Sequence, residues 1–212
     1  MPASRALPDA VSRLDLDLVE KFIVAAFMTV LAARMIPVVI ATGALPPLLL
    51  LVSESMVVLF ILLRRHTDTI SRRGSDWAIG MAGTLLPLLA IAPQGEALAP
   101  SRIVEGLMIS GFLFQIWAKL TLRRSFGVVA ANRGVKASGP YRILRHPMYA
   151  GYALTHIGFL LAGPTLWNFA IYAGTLTLQV RRILAEERVL GEDPAYRALA
   201  ERTRYRLLPP VF

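Results

Sequence analysis

The chain has 212 residues, of which 55% are hydrophobic and 17% are charged, and its formal net charge is +9. Because a soluble domain of this size usually carries about 25% charged residues, the composition favours a protein dissolved in a lipid bilayer. The absence of cysteine from the sequence excludes disulfides, thiolate nucleophiles and cysteine-ligated zinc. The basic residues lie between apolar segments, so they indicate contact with lipid head groups and not with nucleic acid.

Six apolar segments follow one another along the chain. Four of them reach the roughly 17–25 residues that a membrane-spanning helix needs, and the third and fifth are shorter. A Leu-Ala-Gly-Pro break at residues 161–164 separates the last two segments, so these two should form a helical hairpin. The sequence therefore predicts an all-α, polytopic integral membrane bundle of about six transmembrane helices. The predicted segments are residues 18–40, 46–63, 77–92, 103–122, 147–161 and 164–184.

The basic residues predict the orientation of these helices. All Lys and Arg residues except Arg34 and Arg102 fall in stretches that share one side of the membrane if the chain crosses it six times. The positive-inside rule then places both termini in the cytoplasm. The polar residues 185–212 should form short helices over the cytoplasmic mouth of the bundle, with a helix stop at residues 191–194. The basic stretches are residues 1–21, 64–76, 119–146 and 181–212.

Two polar stretches, residues 123–149 and 181–205, would meet at this mouth, because the hairpin returns the second stretch beside the first. His146 precedes Pro147, a residue type that suits the first turn of a helix. His146 should therefore lie beside backbone N–H groups that favour an anion, and Arg145 adds a positive charge there. The first stretch thus predicts an anion-binding site at the start of the fifth helix.

Side chains of both stretches suit a larger ligand. Tyr141 and Tyr149 offer aromatic faces with hydroxyl tips, which suit an aromatic base. Arg182 and Glu186 are four residues apart and share one helix face, whereas Glu187 points elsewhere. The Glu186 carboxylate could accept hydrogen bonds from a ribose diol or an ammonium group, or balance a sulfonium. An ordinary surface ion pair explains the same spacing, and a histidine at a membrane interface often has no chemical role.

The two polar stretches also contain a longer pattern. It consists of Gly139-Pro140-Tyr141, Arg145-His146-Pro147-Met148-Tyr149-Ala150-Gly151, Arg182, Glu186-Glu187-Arg188-Val189-Leu190 and Tyr196. In order, spacing and intervening hairpin, this pattern resembles the isoprenylcysteine carboxyl methyltransferase family, over roughly residues 120–210. The Arg-His-Pro-x-Tyr core is less specific by itself, because membrane phospholipid methyltransferases and sterol reductases carry similar segments.

The resemblance implies S-adenosylmethionine as cofactor, S-adenosylhomocysteine as product and the carboxylate of a prenylated cysteine as methyl acceptor. It implies that Glu186 holds the cofactor and Arg182 faces the acceptor, both as catalytic residues, with Arg145 as a second substrate-binding residue. The family often has histidine at the position of Arg133 and Leu-Val at residues 135–136, so the cofactor loop departs from the pattern here. The predicted cofactor-binding residues are Arg133, Gly134, Val135, Lys136, Tyr141, His146, Pro147, Met148, Tyr149, Glu186 and Glu187.

The predicted function is methyl transfer to a lipidic or prenylated carboxylate at a cytoplasmic active site. N-methylation of a phospholipid or other small lipid is the alternative, and a sterol-type NADPH reductase or a non-enzymatic scaffold fits the chain less well. Residues 1–100 would be a structural or substrate-binding part, and residues 101–212 the methyltransferase core. The expected partners are a lipophilic membrane substrate and membrane lipids, and no nucleic acid, metal ion or obligate protein partner is predicted.

Five polar residues interrupt the apolar segments. Arg34 lies about 20 Å along the first helix from Lys21. Glu54 lies about 12 Å into the second helix, which enters the membrane from the opposite side, so the two residues should have a similar depth in the membrane. Charged groups at such depth usually pair or line a cavity, so we expect a structural Arg34–Glu54 pair, with substrate contact as the alternative. Gln115, His156 and Asn168 should form hydrogen bonds between helices.

Overall fold

The computed structural model describes residues 9–43, 45–209 and 212. Its regular elements are α1 (Asp9–Thr42), α2 (Leu45–Leu63), α3 (Gly74–Leu85), α4 (Ser101–Leu122), α5 (Pro147–Ala162), α6 (Leu166–Leu190) and α7 (Pro194–Arg202). Short 3-10 turns follow α3 and α4, and a third precedes α5. Within the described residues, one isolated bridge between Ile70 and Ala131 is the nearest approach to a strand. The predicted all-α class is therefore confirmed for this part of the chain.

The six predicted apolar segments correspond to α1 through α6, and the predicted stop at residues 191–194 separates α6 from α7. Two helical stretches, Leu16–Thr42 and Ser101–Ser125, are long and apolar enough to cross a membrane. The apolar part of α2, Leu48–Leu63, is shorter. Each predicted segment thus contains a helix, although α3 ends at Leu85, before the predicted end at residue 92. Two of the helices reach the length and hydropathy of a membrane span, and six crossings stay a prediction.

Large apolar side chains cover much of the outer surface of the helices. Phe22 on α1 and Leu166 on α6 are 67% and 86% exposed, and Phe169 is 61% exposed. A soluble monomer rarely exposes an apolar surface of this extent, because burying it against water-free surroundings releases free energy. Exposing such a surface to water costs free energy, and contact with lipid tails removes this cost. The exposed apolar surface therefore agrees with the bilayer predicted from composition.

Helix packing leaves a space inside the bundle. α4 packs closely along α5, where a Cβ atom at Gly111 would lie 2.8 Å from the carbonyl oxygen of Gly151. α1 packs on α2, α2 on α4, and α3 on α6. The two helices of the predicted hairpin therefore pack on different helices: α5 packs mainly on α4, and α6 packs mainly on α3. A cavity lies inside the bundle, and residues of α1 to α6 line it.

The helix ends divide the molecule into a polar end and an opposite end. The starts of α1, α3 and α5 and the ends of α2, α4 and α6 meet at the polar end, where Arg188 Nη1 lies 3.1 Å from Asp76 Oδ2. At the opposite end, Asn168 exchanges two hydrogen bonds of 3.0 Å with the backbone of Ile91. These alternating helix directions are the ones that the prediction of six successive segments requires.

The lone polar residues of the helices have different roles. Ser53 Oγ on α2 donates to Gln115 Oε1 on α4 at 3.3 Å, so the predicted interhelical hydrogen bond of Gln115 is confirmed. Asn168 also forms its predicted hydrogen bonds, but its partner is the irregular segment after α3 and not another helix. His156 instead stacks on the ring of Tyr172, with 4.4 Å between ring centroids, and bonds to none of the described residues. Its predicted hydrogen bond is wrong because an aromatic ring faces it from α6.

A buried cluster of four charged side chains ties α1 to the end of α2 and to the loop after α4. The guanidinium of Arg64 lies 2.9 Å from Asp17 Oδ1 and 2.9 Å from Glu20 Oε2. Arg133 Nη2 lies 2.7 Å from Asp17 Oδ1 and 2.9 Å from Glu20 Oε2. All four residues are at most 5% exposed. Two positive and two negative groups balance, as buried ions require, because an unpaired buried charge is costly.

Replacing Arg64 by alanine should destabilise the protein strongly, because it leaves two buried carboxylates with one guanidinium. The expected loss is about 3–5 kcal/mol of unfolding free energy. Thermal unfolding of the purified protein in detergent measures this loss. Arg72 is exposed, so Arg72→Ala is the matched control. Equal unfolding temperatures for the two variants would show that the cluster does not stabilise the fold.

Candidate active site

A cleft lies beside this cluster at the polar end, and we call it the polar cleft. Its volume is about 90 Å³, and its walls come from the end of α4, the loop to residue 136, the start of α5, the end of α6, and α7. Acidic, basic and aromatic side chains face one another across it. The lining residues are Leu122, Ser125, Gly127, Val129, Ala131, Arg133, Gly134, Val135, Lys136, Tyr141, Arg145, His146, Met148, Tyr149, Glu186, Leu190, Tyr196 and Leu199.

The loop of residues 126–134 forms one wall of the polar cleft, and α1 holds its backbone. Glu20 Oε1 accepts hydrogen bonds from the backbone N–H groups of Val128 and Val129, at 2.8 and 2.9 Å. The second oxygen of Glu20 belongs to the buried ion cluster. One carboxylate therefore joins the cluster to the cleft wall, and it satisfies two buried N–H groups that an apolar surrounding would otherwise leave unpaired.

Three further contacts hold the same loop. Arg182 Nη2 on α6 donates to the carbonyl oxygen of Gly127 at 2.9 Å. Asn132 Nδ2 donates to Asp193 Oδ2, the N-cap residue of α7, at 2.8 Å. The segment of residues 69–71 pairs with the loop through backbone hydrogen bonds. The loop thus connects α1, α6 and α7, so its position depends on the whole polar end.

One histidine and two adjacent carboxylates form the centre of the site. His146 is 5% exposed, with Nε2 3.3 Å from Glu187 Oε1 and Nδ1 3.6 Å from Glu186 Oε2. The imidazole at the start of α5 lies between the two carboxylates, although Glu187 does not line the polar cleft as Glu186 does. His146 is therefore a bridge between α5 and α6.

Glu187 has more partners than any other acid of the site. Arg206 Nε donates to it at 2.7 Å, the Tyr196 hydroxyl donates at 2.9 Å, and Arg145 Nη1 lies 3.2 Å away. Burial raises the pKa of Glu187, but hydrogen bonds from His146 and Arg206 outweigh burial and lower the pKa to about 2. Glu187 lines neither cavity of the protein, so it holds α7 and the C-terminal segment against α6.

Tyr149 lies between the polar cleft and the interior of the bundle. Its hydroxyl donates to Glu186 Oε1, and the guanidinium carbon of Arg182 lies 5.4 Å from its ring centroid. Arg182 Nε donates to the same carboxylate oxygen at 3.2 Å. The phenol and the guanidinium thus converge on Glu186, which fixes the ring of Tyr149 in place.

The protonation of the site follows from its partners. Burial raises the pKa of Glu186, but the hydrogen bond from His146 and the charge of Arg182 outweigh it, so the net pKa is lowered. Burial lowers the pKa of His146, yet hydrogen bonds to Glu186 and Glu187 outweigh burial and raise it above its ordinary value. Burial, with the charge of Glu186, raises the pKa of the Tyr141 phenol well above its usual range. Glu186 therefore stays ionised, His146 favours its protonated form and Tyr141 stays a neutral donor.

A second, larger space lies inside the bundle, and we call it the apolar cavity. Its volume is about 680 Å³, within the roughly 300–1,000 Å³ of common ligand pockets, and all six long helices contribute to its walls. It shares two lining residues, Met148 and Tyr149, with the polar cleft. Most of its other lining side chains are aliphatic or aromatic. The polar ones are Arg34, Glu54, Thr84, Gln115, Thr155, His156, Gln179 and Arg182.

The structure divides the predicted site residues between the two spaces. All predicted cofactor-binding residues except Pro147 and Glu187 line the polar cleft. Arg145, predicted for the substrate, lines the polar cleft as well, whereas Arg182 lines only the apolar cavity. Arg133 borders the cleft while its guanidinium is engaged in the buried ion cluster. The roles of these residues stay predictions, and their positions are now defined.

The backbone just before α5 is already hydrogen-bonded. The backbone N–H groups of Arg145 and His146 donate to the carbonyl oxygens of Tyr205 and Arg206, both at 2.9 Å. The C-terminal segment therefore occupies the two N–H groups that precede α5. This pairing joins residues about 60 positions apart, which local sequence patterns do not report. The anion site at the start of α5 itself stays a prediction.

The predicted ion pair between Arg34 and Glu54 is not formed. Both residues line the apolar cavity, and neither makes an ion pair or hydrogen bond with any described residue. Arg34 is exposed and Glu54 is half-buried. Similar depth along two helices therefore did not bring the two side chains together, although both line the same cavity.

Sequence reasoning also missed parts of the site. Gly127, Val129 and Ala131 line the polar cleft, but such residues carry no chemical signal of their own. Asp17 and Glu20, which anchor the loop, did carry one: two acids three residues apart share a helix face, and they begin an otherwise apolar helix. Such a pair predicts buried basic partners, and the structure supplies them from distant positions.

Comparison with known proteins gives one similarity. Residues 102–193 match the phospholipid methyltransferase family. The matched region includes α4, α5, α6 and the residues shared by the two cavities. The match does not single out the isoprenylcysteine family, and two helices of the chain are long and apolar enough to cross a membrane. No curated protein matches the chain.

The low pKa of Glu187 predicts a pH-dependent stability. Its folded-state pKa of about 2 lies below the ordinary value of 4.5. Ionised Glu187 therefore stabilises the fold above about pH 4.5, and this contribution is lost as the pH falls from there toward 2. Glu187→Gln should lower the unfolding temperature at pH 7, and the difference from the wild type should narrow at pH 3. The exposed Glu192 gives the control, Glu192→Gln, and an unchanged difference at both pH values would contradict the prediction.

The separation of Arg34 and Glu54 predicts additive effects on stability. Because the two side chains form no ion pair, the changes in unfolding free energy of Arg34→Ala and Glu54→Ala should add in the double variant to within about 0.5 kcal/mol. Unfolding of the three variants in detergent gives the three free energies. A coupling energy above about 1 kcal/mol would instead show that the two residues interact in solution.

Proposed function

We propose that the protein is an S-adenosylmethionine-dependent methyltransferase that methylates an anionic oxygen of a membrane lipid. The observation that carries this proposal is the wall of Met148 and Tyr149, which separates a polar cleft from an apolar cavity. A polar methyl donor suits the cleft, and a lipid acceptor suits the cavity. Their reacting groups would then meet across these two side chains, which supports a group transfer between a soluble and a membrane-dissolved molecule.

The residues of the polar cleft fit the cofactor by their chemistry. S-adenosylmethionine supplies a sulfonium-bound methyl group, and it carries an adenine base, a ribose diol and an amino acid end. The rings of Tyr141 and Tyr196 suit the base, and Lys136 and Arg145 suit the carboxylate. Ionised Glu186 suits the diol or the ammonium group, or balances the sulfonium. The cleft holds only about 90 Å³, so cofactor binding requires it to widen.

The acceptor side of the wall favours an anion. Arg182 lines the apolar cavity beside Tyr149 with its guanidinium. The acid that lines the cavity, Glu54, is ten residues before Arg64 and hence about 15 Å along α2 from the polar end. A carboxylate acceptor is ionised at neutral pH and needs no general base. Methyl transfer is an in-line displacement, so the protein mainly aligns the two molecules and excludes water.

N-methylation of an amino lipid is the second candidate function, and the family match favours it. This reaction requires an uncharged amine, so a base must accept its proton. Both ring nitrogens of His146, the histidine of the polar cleft, are engaged with the carboxylates of Glu186 and Glu187, so neither is free to accept the proton of an amine. The contacts of the site therefore favour the carboxylate acceptor.

The proposal extends to orientation and to the first half of the chain. We place the polar end in the cytoplasm, where the cofactor is available, in agreement with the bias of Lys and Arg toward that end. Helices α1 and α2 supply walls of the apolar cavity, and α1 holds the cleft loop through Glu20. Residues 1–100 therefore serve the acceptor site as well as the structure of the core.

Calorimetric titration with S-adenosylhomocysteine tests the proposal. The wild type should bind it and not NADPH. Glu186→Gln should weaken binding at least tenfold, since the cleft loses the ionised carboxylate that faces the cofactor. Arg182→Met should abolish methyl transfer to a lipid carboxylate, and it should also weaken S-adenosylhomocysteine binding, because Arg182 contacts Glu186 and the cleft loop. Glu192→Gln is the control for the loss of an acid. A wild-type protein that binds no S-adenosylhomocysteine would contradict methyl transfer, and preferred labelling of amino lipids would favour the second candidate.

A further inference from the structure

A lysine lies fully buried in the helix bundle without an acidic partner. Lys119 on α4 is 0% exposed, and its Nζ donates to Ser53 Oγ on α2 and lies 3.4 Å from the Ser53 carbonyl oxygen. The third neighbour is the ring of Tyr152, whose centroid is 5.3 Å from Nζ. Lys119 forms no ion pair with a carboxylate of the described residues. A buried positive charge of this kind is costly within a membrane, and such residues usually serve a function.

The contacts of Lys119 impose a direction on a chain of hydrogen bonds. An ammonium group can only donate, so Ser53 Oγ must accept from it. The hydroxyl hydrogen of Ser53 then points to Gln115 Oε1, 3.3 Å away. This contact assigns the oxygen of the Gln115 amide and leaves its NH2 group without a partner among the described residues. Lys119 therefore orients the Gln115 amide through Ser53, so that its free end donates.

The free end of this chain lies at the apolar cavity. Gln115 is 2% exposed and lines the cavity. Its backbone packs against Gly151 on α5, where a Cβ atom would lie 2.7 Å from the Gln115 nitrogen. Gly151 is two residues after Tyr149, over whose ring Arg182 lies. Gln115 from α4 and Arg182 from α6 thus border the cavity near the wall that it shares with the polar cleft.

We infer that Gln115, held by Lys119 and Ser53, is a specificity residue that donates a hydrogen bond to an oxygen of the lipid acceptor. The inference rests on the proposed function and names the acceptor class more closely: a lipid whose head group offers anionic oxygen to two donors, one from α4 and one from α6. An ammonium head group would face two hydrogen-bond donors, Gln115 and Arg182, and it would be repelled by the positive charge of Lys119 near Gln115. The arrangement therefore selects against amines.

A purely structural link between α2 and α4 predicts a different behaviour. Such a link would affect unfolding, but it would affect the binding of carboxylate and amine lipids equally. The experiment therefore compares two acceptors with one tail, farnesylthioacetate and farnesylthioethylamine. Their dissociation constants are measured on the full-length protein in nanodiscs, and S-adenosylhomocysteine binding is measured on the same samples.

The wild type should bind farnesylthioacetate more tightly than the amine. Gln115→Leu removes the donor and should weaken carboxylate binding about tenfold, since hydrogen bonds to charged groups are among the stronger ones. Gln115→Glu replaces the donor by an acceptor and should reverse the preference. Ser53→Ala and Lys119→Met release the amide and should weaken carboxylate binding several-fold. S-adenosylhomocysteine binding should stay within twofold in all four variants.

Ser110→Ala on the outer face of α4 is the control, because Ser110 is exposed and bonds only within its own helix. If Gln115→Leu and Gln115→Glu keep the wild-type ratio of the two dissociation constants, the inference is wrong. A wild type that prefers the amine, or binds neither lipid, also overturns it. If the proposed function itself is wrong, the wild type will not bind S-adenosylhomocysteine, and this result is distinct from a changed preference between the two lipids.

Discussion

Glu20 is the residue through which the polar end of the bundle is organised. One of its carboxylate oxygens pairs with two buried guanidinium groups, and the other accepts two backbone N–H groups of the cleft loop. A carboxylate without water must have all its lone pairs engaged, so these four contacts are mutually dependent. The start of α1, the end of α2 and the loop after α4 are therefore fixed together.

Two neighbouring acids of α6 have separate tasks. Glu187 is engaged by Arg145, His146, Tyr196 and Arg206, and it lines neither cavity. Glu186 lines the polar cleft and receives the Tyr149 hydroxyl. Adjacent helix positions differ by about 100° around the axis, yet the imidazole of His146 reaches both carboxylates. The histidine thus positions the acids, and a proton on His146 strengthens both contacts.

The two cavities differ in the chemistry that they offer across a wall of two side chains. The cleft presents the carboxylate of Glu186 and aromatic rings, which under the proposed function suit a cationic methyl donor with a base. The cavity presents aliphatic walls with donors from α4 and α6 near the shared wall. Water exclusion strengthens such donor–anion contacts, because the local dielectric constant is low. Under the proposed function, a cationic methyl donor and an anionic acceptor would attract each other across this wall.

The sequence by itself determined the helices and the polar residues at one end, because apolar length, helix stops and Lys and Arg positions are local signals. It also identified the side chains of the cleft, since the motifs of residues 139–151 and 182–196 lie on the two helix ends that meet there. Only the tertiary structure decided the partners. The contacts of Arg133 with Asp17, of His146 with Glu187 and of Lys119 with Ser53 each join residues at least 40 positions apart. Pairing at such distance depends on how helices pack, and a residue's type and its neighbours in the chain do not specify that.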